Sequence, residues 1–199
     1  RLWVGTTSGL AQYASAGRSF TVFFPGETIY DLHEDGQGHL LVAAGPAGVY
    51  SLDIREPYSV PEDVRSAKLV SFAPGIRTEA RSVTCDRFGN LWIGTYGEGL
   101  LFRNGREPGA GRRGSPGAGM TVPSEYSRVP GHPLSEVRVV LEDGECVWMG
   151  ADDGLYCVDR QNRRVLRQMR REDLQPADLV RALAKDGAGN LWVGYYGGG

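Results

Sequence analysis

Asp86-Arg87-Phe88-Gly89-Asn90-Leu91-Trp92-Ile93-Gly94-Thr95-Tyr96-Gly97-Glu98-Gly99-Leu100 holds an acidic turn, an apolar run around one tryptophan, and a glycine-rich turn. Asp, Asn and Gly supply the positive φ angles that tight hairpins need, so the stretch reads turn, strand, turn. It is not unique in the chain. Leu2-Trp3-Val4-Gly5-Thr6, Leu40-Leu41-Val42-Ala43-Ala44, Val147-Trp148-Met149-Gly150-Ala151 and Leu191-Trp192-Val193-Gly194-Tyr195 align with its central run. Counted at the Trp position the copies start at 3, 41, 92, 148 and 192, giving spacings of 38, 51, 56 and 44.

The similarity extends outward from each Trp. Acidic turns precede it at Asp35-Gly36-Gln37-Gly38, Asp143-Gly144-Glu145 and Asp186-Gly187-Ala188-Gly189-Asn190. Before the turns lie alternating strands, Ile29-Tyr30-Asp31-Leu32, Arg81-Ser82-Val83-Thr84, Val137-Arg138-Val139-Val140 and Val180-Arg181-Ala182-Leu183. A Gly-apolar pair follows at Gly9-Leu10, Gly48-Val49, Gly99-Leu100 and Gly154-Leu155, and a more variable fourth strand at 20–24, 68–72 and 165–169. Four strands per unit at this repeat length are the signature of a β-propeller blade. The expected fold is all-β: about four four-stranded blades, with each repeated Trp packed between neighbours. A hairpin array or β-solenoid leaves the acidic turn before Trp unexplained.

The expected organisation is a partial blade at 1–27, blades at 28–78, 79–134 and 135–177, and a partial blade at 178–199. Trp3 and Trp192 occupy the same blade position, so the two ends duplicate a strand instead of completing one blade between them. That points to a segment of a larger ring, with a four-bladed ring carrying one redundant strand as the alternative.

Composition agrees with this reading. The 199 residues include 29 glycines, about twice the ordinary share of roughly 7%. Four Trp, nine Tyr and six Phe exclude a chain disordered throughout. With 22 Lys and Arg against 24 Asp and Glu, the net charge of −2 argues against a nucleic-acid or membrane-surface binder. The charge-free run near 40–52 is broken by Gly45, Pro46 and Gly48, so it does not span a bilayer. Cys85, Cys146 and Cys157 cannot all pair and lack metal-ligand spacing; buried thiols are the expectation, a Cys146–Cys157 hairpin disulfide the alternative. No cofactor or metal is implied.

With residues 86–100 in view, the chain resembles the two-component regulator propeller repeat, whose signature runs D-x-x-G-N-L-W-I-G-T-x-x-G-L. Asp86 to Leu100 matches throughout, Asp186 to Gly194 with one extra turn residue, and Leu2 to Leu10 over the second half. The copy at 35–49 lacks the Trp, and that at 143–155 lacks the Gly-Asn of the turn. The resemblance implies a sensory propeller outside the inner membrane of a bacterium, often seven-bladed, ahead of a membrane helix and a histidine kinase or similar output. The ligands it implies are small molecules such as carbohydrate fragments. The partners expected are such a ligand and the further blades or signalling domains of the same protein. Fold alone does not transfer a ligand.

Propeller topology places the turn after each second strand, and the link into each first strand, on one face. That face collects Thr6-Thr7-Ser8, Tyr96, Glu98, Asp152, Asp153, Tyr195 and Tyr196, joined by Arg77, Glu79, His132, Ser135 and Asp178. Aromatic and bidentate polar groups around a depression suit a hydroxylated ligand. The candidate ligand-binding residues are Tyr96, Glu98, Asp152, Asp153, Arg77 and His132, each of which also reads as an ordinary solvated turn residue. Arg81, Arg138 and Arg181 recur at one place in three first strands, with Tyr30 in the fourth. They form either an inward cationic ring for an anion or, the favoured reading, pairs with carboxylates or carbonyls of adjacent blades.

Residues 103–125 have no apolar periodicity and read as a mobile loop on the opposite face. Arg160, Arg163, Arg164, Arg167, Arg170 and Arg171 read as a solvated strand edge. Enzymatic propellers of the lyase or glycoside hydrolase type need a His/Glu or paired-carboxylate constellation. His33 and His39 fall on the wrong face and only His132 is suitably placed, so the segment reads as non-catalytic. A protein-binding propeller is the third reading.

Overall fold

The computed structural model describes residues 2–14, 17–55, 66–70, 78–105, 126–132, 136–170, 172–173 and 179–196. Among them there is no helix. β1 (Leu2–Thr6), β2 (Gly9–Ala14) and β3 (Ser19–Phe23) form a three-stranded sheet in that order. β4 (Asp31–Glu34), β5 (His39–Ala43), β6 (Val49–Asp53) and β7 (Ser66–Val70) form the next. β8 (Glu79–Cys85), β9 (Leu91–Tyr96), β10 (Leu100–Arg103) and β11 (Ser127–Arg128) form a third. β12 (Val137–Asp143), β13 (Cys146–Ala151), β14 (Gly154–Asp159) and β15 (Val165–Arg170) form a fourth, and β16 (Val180–Lys185) pairs with β17 (Leu191–Tyr195). Every strand pair is antiparallel and sequential, the up-and-down meander of a blade.

The first strands line up from blade to blade, β4 beside β8, β8 beside β12, and β12 beside β16. This is a partial β-propeller with its inner strands in a row. Strand alternation explains how one blade serves two interfaces. Leu91 and Ile93 of β9 join Leu41, Ala43 and Val49 in one core cluster. Trp92, between them, joins Val137, Val147, Met149 and Tyr156 of the following blade. Trp92 is 0% exposed, as the repeat predicts, whereas Trp192 is 64% exposed because no sheet covers it among the described residues.

The motif glycine has a packing reason. A Cβ on Gly94 would stand 2.8 Å from Val137 Cγ1 and 2.9 Å from its carbonyl oxygen. Gly5 meets Ile29, and Gly150 meets Val180, in the same way. At the one copy with Ala43 instead of Gly, the residue at the partner position is Ala80, in the same cluster, so the lost space is returned by a smaller neighbour.

Candidate functional site

Three of the inner strands carry an irregularity at one repeat position. The register shifts between Ala80 and Ser82, between Val137 and Val139, and between Val180 and Ala182. The residues left over are Arg81, Arg138 and Arg181. A bulge re-aims the side chain it carries, and here it turns one guanidinium per blade out of the strand alternation.

The guanidinium groups meet carboxylates and rings rather than open space. Arg81 Nη2 lies 2.8 Å from Glu79 Oε2, and its Nε 3.5 Å from Glu136 Oε1 across the blade boundary. Arg138 donates to Glu136 Oε2 at 2.5 Å and to Asp152 Oδ1 at 2.8 Å. Arg81 also covers the Tyr30 ring at 4.2 Å and approaches Tyr96 at 5.7 Å, while Arg181 lies 5.1 Å from the Tyr196 ring. The favoured expectation for these arginines, pairing with an adjacent blade, holds for Arg81 through Glu136, whereas Arg138 pairs with Glu136 and Asp152 of its own blade. The result is an axial row: Tyr30, Arg81 with Glu79 and Tyr96, Glu136, Arg138 with Asp152, then Arg181 with Tyr196.

Glu136 is the hub of this row. It is 8% exposed, and burial is the main cause pushing its carboxyl above the ordinary range. The Asp152 charge acts in the same direction, while Arg138, Arg81 and Arg181 oppose it. Reasoning from the sequence passed over Glu136. The signal was present as a repeated Glu-x-Arg, Glu79-Ala80-Arg81 and Glu136-Val137-Arg138.

The candidate ligand residues separate into two groups. Tyr96 and Asp152 occupy equivalent places at the ends of their second strands and meet the same row through Arg81, Glu136 and Arg138. Asp153 sits one residue outward, where its carboxylate accepts from the buried Tyr156 hydroxyl at 2.6 Å, and Gln168 donates to that hydroxyl at 2.9 Å. An open depression of about 510 Å³ adjoins them, lined by Asp152, Asp153, Gln168, Arg170 and Glu172. Glu98 instead pairs with Arg128 on β11. His132 Nε2 accepts the Leu100 N–H at 3.3 Å, over the Gly99 turn. Arg77, Ser135 and Asp178 lie outside the described residues, as do Arg171 and residues 106–125 of the long insertion.

Away from this face the arginine edge needs correcting. Arg160 is only 9% exposed. Its guanidinium covers the Phe88 ring at 4.4 Å and pairs with Glu145, which also holds Arg87, so it joins two blades instead of solvating an edge. Arg164, Arg167 and Arg170 are exposed on or beside β15 as expected. His39 Nδ1 bonds Asp35 Oδ2 at 2.8 Å within its turn. Cys146 and Cys157 lie on neighbouring strands with free thiols. No group of three or more His, Cys, Asp or Glu suited to a metal occurs among the described residues.

The family model described as the two component regulator propeller matches residues 76–97, a span that contains Arg81, the acidic turn, Trp92 and Tyr96. Residues 76–97 are a two-component regulator propeller repeat. No curated protein sequence matches the chain significantly. Among solved structures it is similar to the extracellular domain of BT4673 from B. thetaiotaomicron, described both as a one-component and as a hybrid two-component system. That match has 18% identity and a TM-score of 0.64 over 96% of this chain and 23% of the other. It is also similar to PorZ, a surface component of the type-IX secretion system of Porphyromonas gingivalis. There the identity is 17% and the TM-score 0.69, over 98% of this chain and 29% of the other. A Bacteroides caccae protein of unknown function matches at 13% identity and TM-score 0.58, over 96% of this chain and 63% of that one. These likenesses show the propeller fold, and the chain spans less than a third of the first two proteins. The regulator propeller repeat thus reaches the axial row itself, since Arg81 and Tyr96 both lie in the matched segment.

Proposed function

We propose that this chain is a non-catalytic sensory propeller segment of a bacterial two-component signalling protein, working in the periplasm and recognising a small molecule such as a carbohydrate fragment. The observation that carries the reading is the axial row. Tyr96 and Asp152, on different blades, converge through Arg81, Glu136 and Arg138. Exposed rings beside hydrogen-bonding charge pairs suit a hydroxylated ring better than an apolar ligand. The regulator propeller repeat supports a sensory role, and the extracellular neighbours support a place outside the cytoplasm. Further blades of the same protein are the proposed cover for the face where Trp192 is exposed.

A propeller enzyme is the alternative, and the row has paired carboxylates, but each already neutralises an arginine. Thermal melting with a panel of oligosaccharides tests the reading. Stabilisation that rises with saccharide concentration supports it, since a ligand that binds only the folded state raises its stability. Turnover of a saccharide, or capture of a protein partner without any saccharide effect, would move the enzyme or scaffold reading ahead.

A further inference from the structure

We propose that Glu136 is a specificity determinant, one that makes the axial row a site for an uncharged polyhydroxylated ring and bars anionic ligands from it. The inference rests on the small-molecule reading above and adds the charge class of the ligand and the residue that sets it. Three arginines in a row, one per blade, would by themselves form an anion receptor. The structure sets Glu79, Glu136 and Asp152 among them, so three positive charges face three negative ones. Within the row Glu136 is shared by two arginines, reaching Arg81 of the preceding blade and Arg138 of its own blade. An incoming carboxylate, sulfate or phosphate would have to displace it, and it is too buried to swing into water at no cost.

A hydroxyl meets no such barrier, because it donates and accepts at once. The row contains a place where both are wanted. Arg81 Nε is a buried donor and Glu136 Oε1 a buried acceptor, 3.5 Å apart, and neither makes a hydrogen bond. Small movements of the two side chains would admit one hydroxyl between them, accepting from the guanidinium and donating to the carboxylate. Tyr30 and Tyr96, both partly exposed, flank this point through Arg81, and Tyr196, exposed beside Arg181, stands further along the row; their rings offer apolar surfaces for the C–H faces of a ring. Of the three copies with an inner arginine, two carry a glutamate two residues before it, Glu79 and Glu136, and the last has Leu179 there, so Arg181 has no such glutamate on its own strand.

The test compares neutral monosaccharides and oligosaccharides with their matched uronates by titration calorimetry, on the wild-type chain, Glu136→Gln, Asp152→Asn and Tyr96→Ala. The expected result is a neutral ligand bound at least about tenfold more tightly than its uronate, with Tyr96→Ala weakening it by about tenfold. Glu136→Gln removes one negative charge from the centre and should narrow or reverse the preference. Asp152→Asn changes the charge equally at a half-buried turn, without touching the buried Glu136, and should shift selectivity in the same direction. A uronate bound by the wild type as tightly as its neutral counterpart overturns the inference while leaving the sensor reading in place. So does an unchanged preference in both charge variants. Absence of binding by every saccharide overturns the small-molecule reading and this inference together.

Discussion

The indole Nε1–H of Trp92 points at the carboxylate of Asp86, with 3.3 Å between Nε1 and Oδ2. The same bond joins Trp148 to Asp143 at 3.2 Å and Trp192 to Asp186 at 2.9 Å. In the full copy, Asp86 Oδ1 also accepts the N–H groups of Phe88 and Asn90, and Oδ2 accepts the Asn90 side chain. The acidic turn and the tryptophan are thus one device. One carboxylate closes the turn and takes up the only polar atom of a ring that must be buried between blades. Where Leu41 replaces Trp, Asp35 keeps the turn and its Oδ2 takes His39 in place of the asparagine.

Replacing Asp86 with Ala should therefore cost more than loss of a surface turn residue. Four donors lose their acceptor, and the buried indole is left unpaired, so the expected loss is about 2–4 kcal/mol. Denaturant unfolding of Asp86→Ala beside Asp186→Ala measures it. The second variant acts on an exposed turn and should lose distinctly less; equal losses would refute the burial argument.

Gly94→Ala should destabilise by about 1–3 kcal/mol through the clash with Val137. The Ala43 and Ala80 pair indicates the remedy already present in the chain. Gly94→Ala combined with Val137→Ala should recover part of the loss, which a double-mutant cycle reads as a coupling. Strictly additive losses would contradict the packing account.

Ser82 ties three blades together. Its hydroxyl donates to Asp31 Oδ2 at 2.5 Å and accepts the Val140 N–H at 3.0 Å. Ser82→Ala should cost about 1–3 kcal/mol. Burial raises the Asp31 carboxyl above its usual pKa of 3.8, against the bonds from Ser82, Val83 and Leu32 that lower it. With the folded pKa above the unfolded one, the folded state holds its proton more tightly. The Asp31 contribution is then fully present below about pH 3.8 and is lost as pH rises through the raised value. Unfolding curves from pH 3 to pH 8 should show a loss over that window, and Asp31→Asn should remove it.

The strands and the column of inner arginines were legible in the sequence because each is a repeated feature, whereas the partners of those arginines were legible only for Arg81. Periodicity makes Leu91, Trp92 and Ile93 readable as two alternating faces, and a conserved spacing makes Arg81, Arg138 and Arg181 readable as a column within this one chain. Glu136 was harder to see, since its role depends on which blade follows which and on a bulge that turns Arg81 toward it. Arg160 was misread for a related reason. In sequence it belongs to a run of arginines, yet Phe88 and Glu145 lie next to it only after two blades pack.

The cysteines should be slow to react in the folded chain. Burial pushes the Cys85 thiol up to about 11, and burial together with the neighbouring Cys157 pushes Cys146 up to about 12. Few thiolates are then present near pH 8. A thiol reagent should label the native protein slowly and all three cysteines promptly in denaturant without reductant. Only one prompt thiol in denaturant would instead indicate a disulfide.

The axial row as the ligand site is tested most directly by tyrosine-labelled NMR of the chain during titration with the oligosaccharide panel. The account predicts that a binding saccharide shifts the resonances of Tyr96 and Tyr196, with Tyr30 beside Arg81, and leaves the buried Tyr156 ring largely unmoved. A saccharide that binds without shifting any of the three, or a panel in which none shifts them, would contradict it.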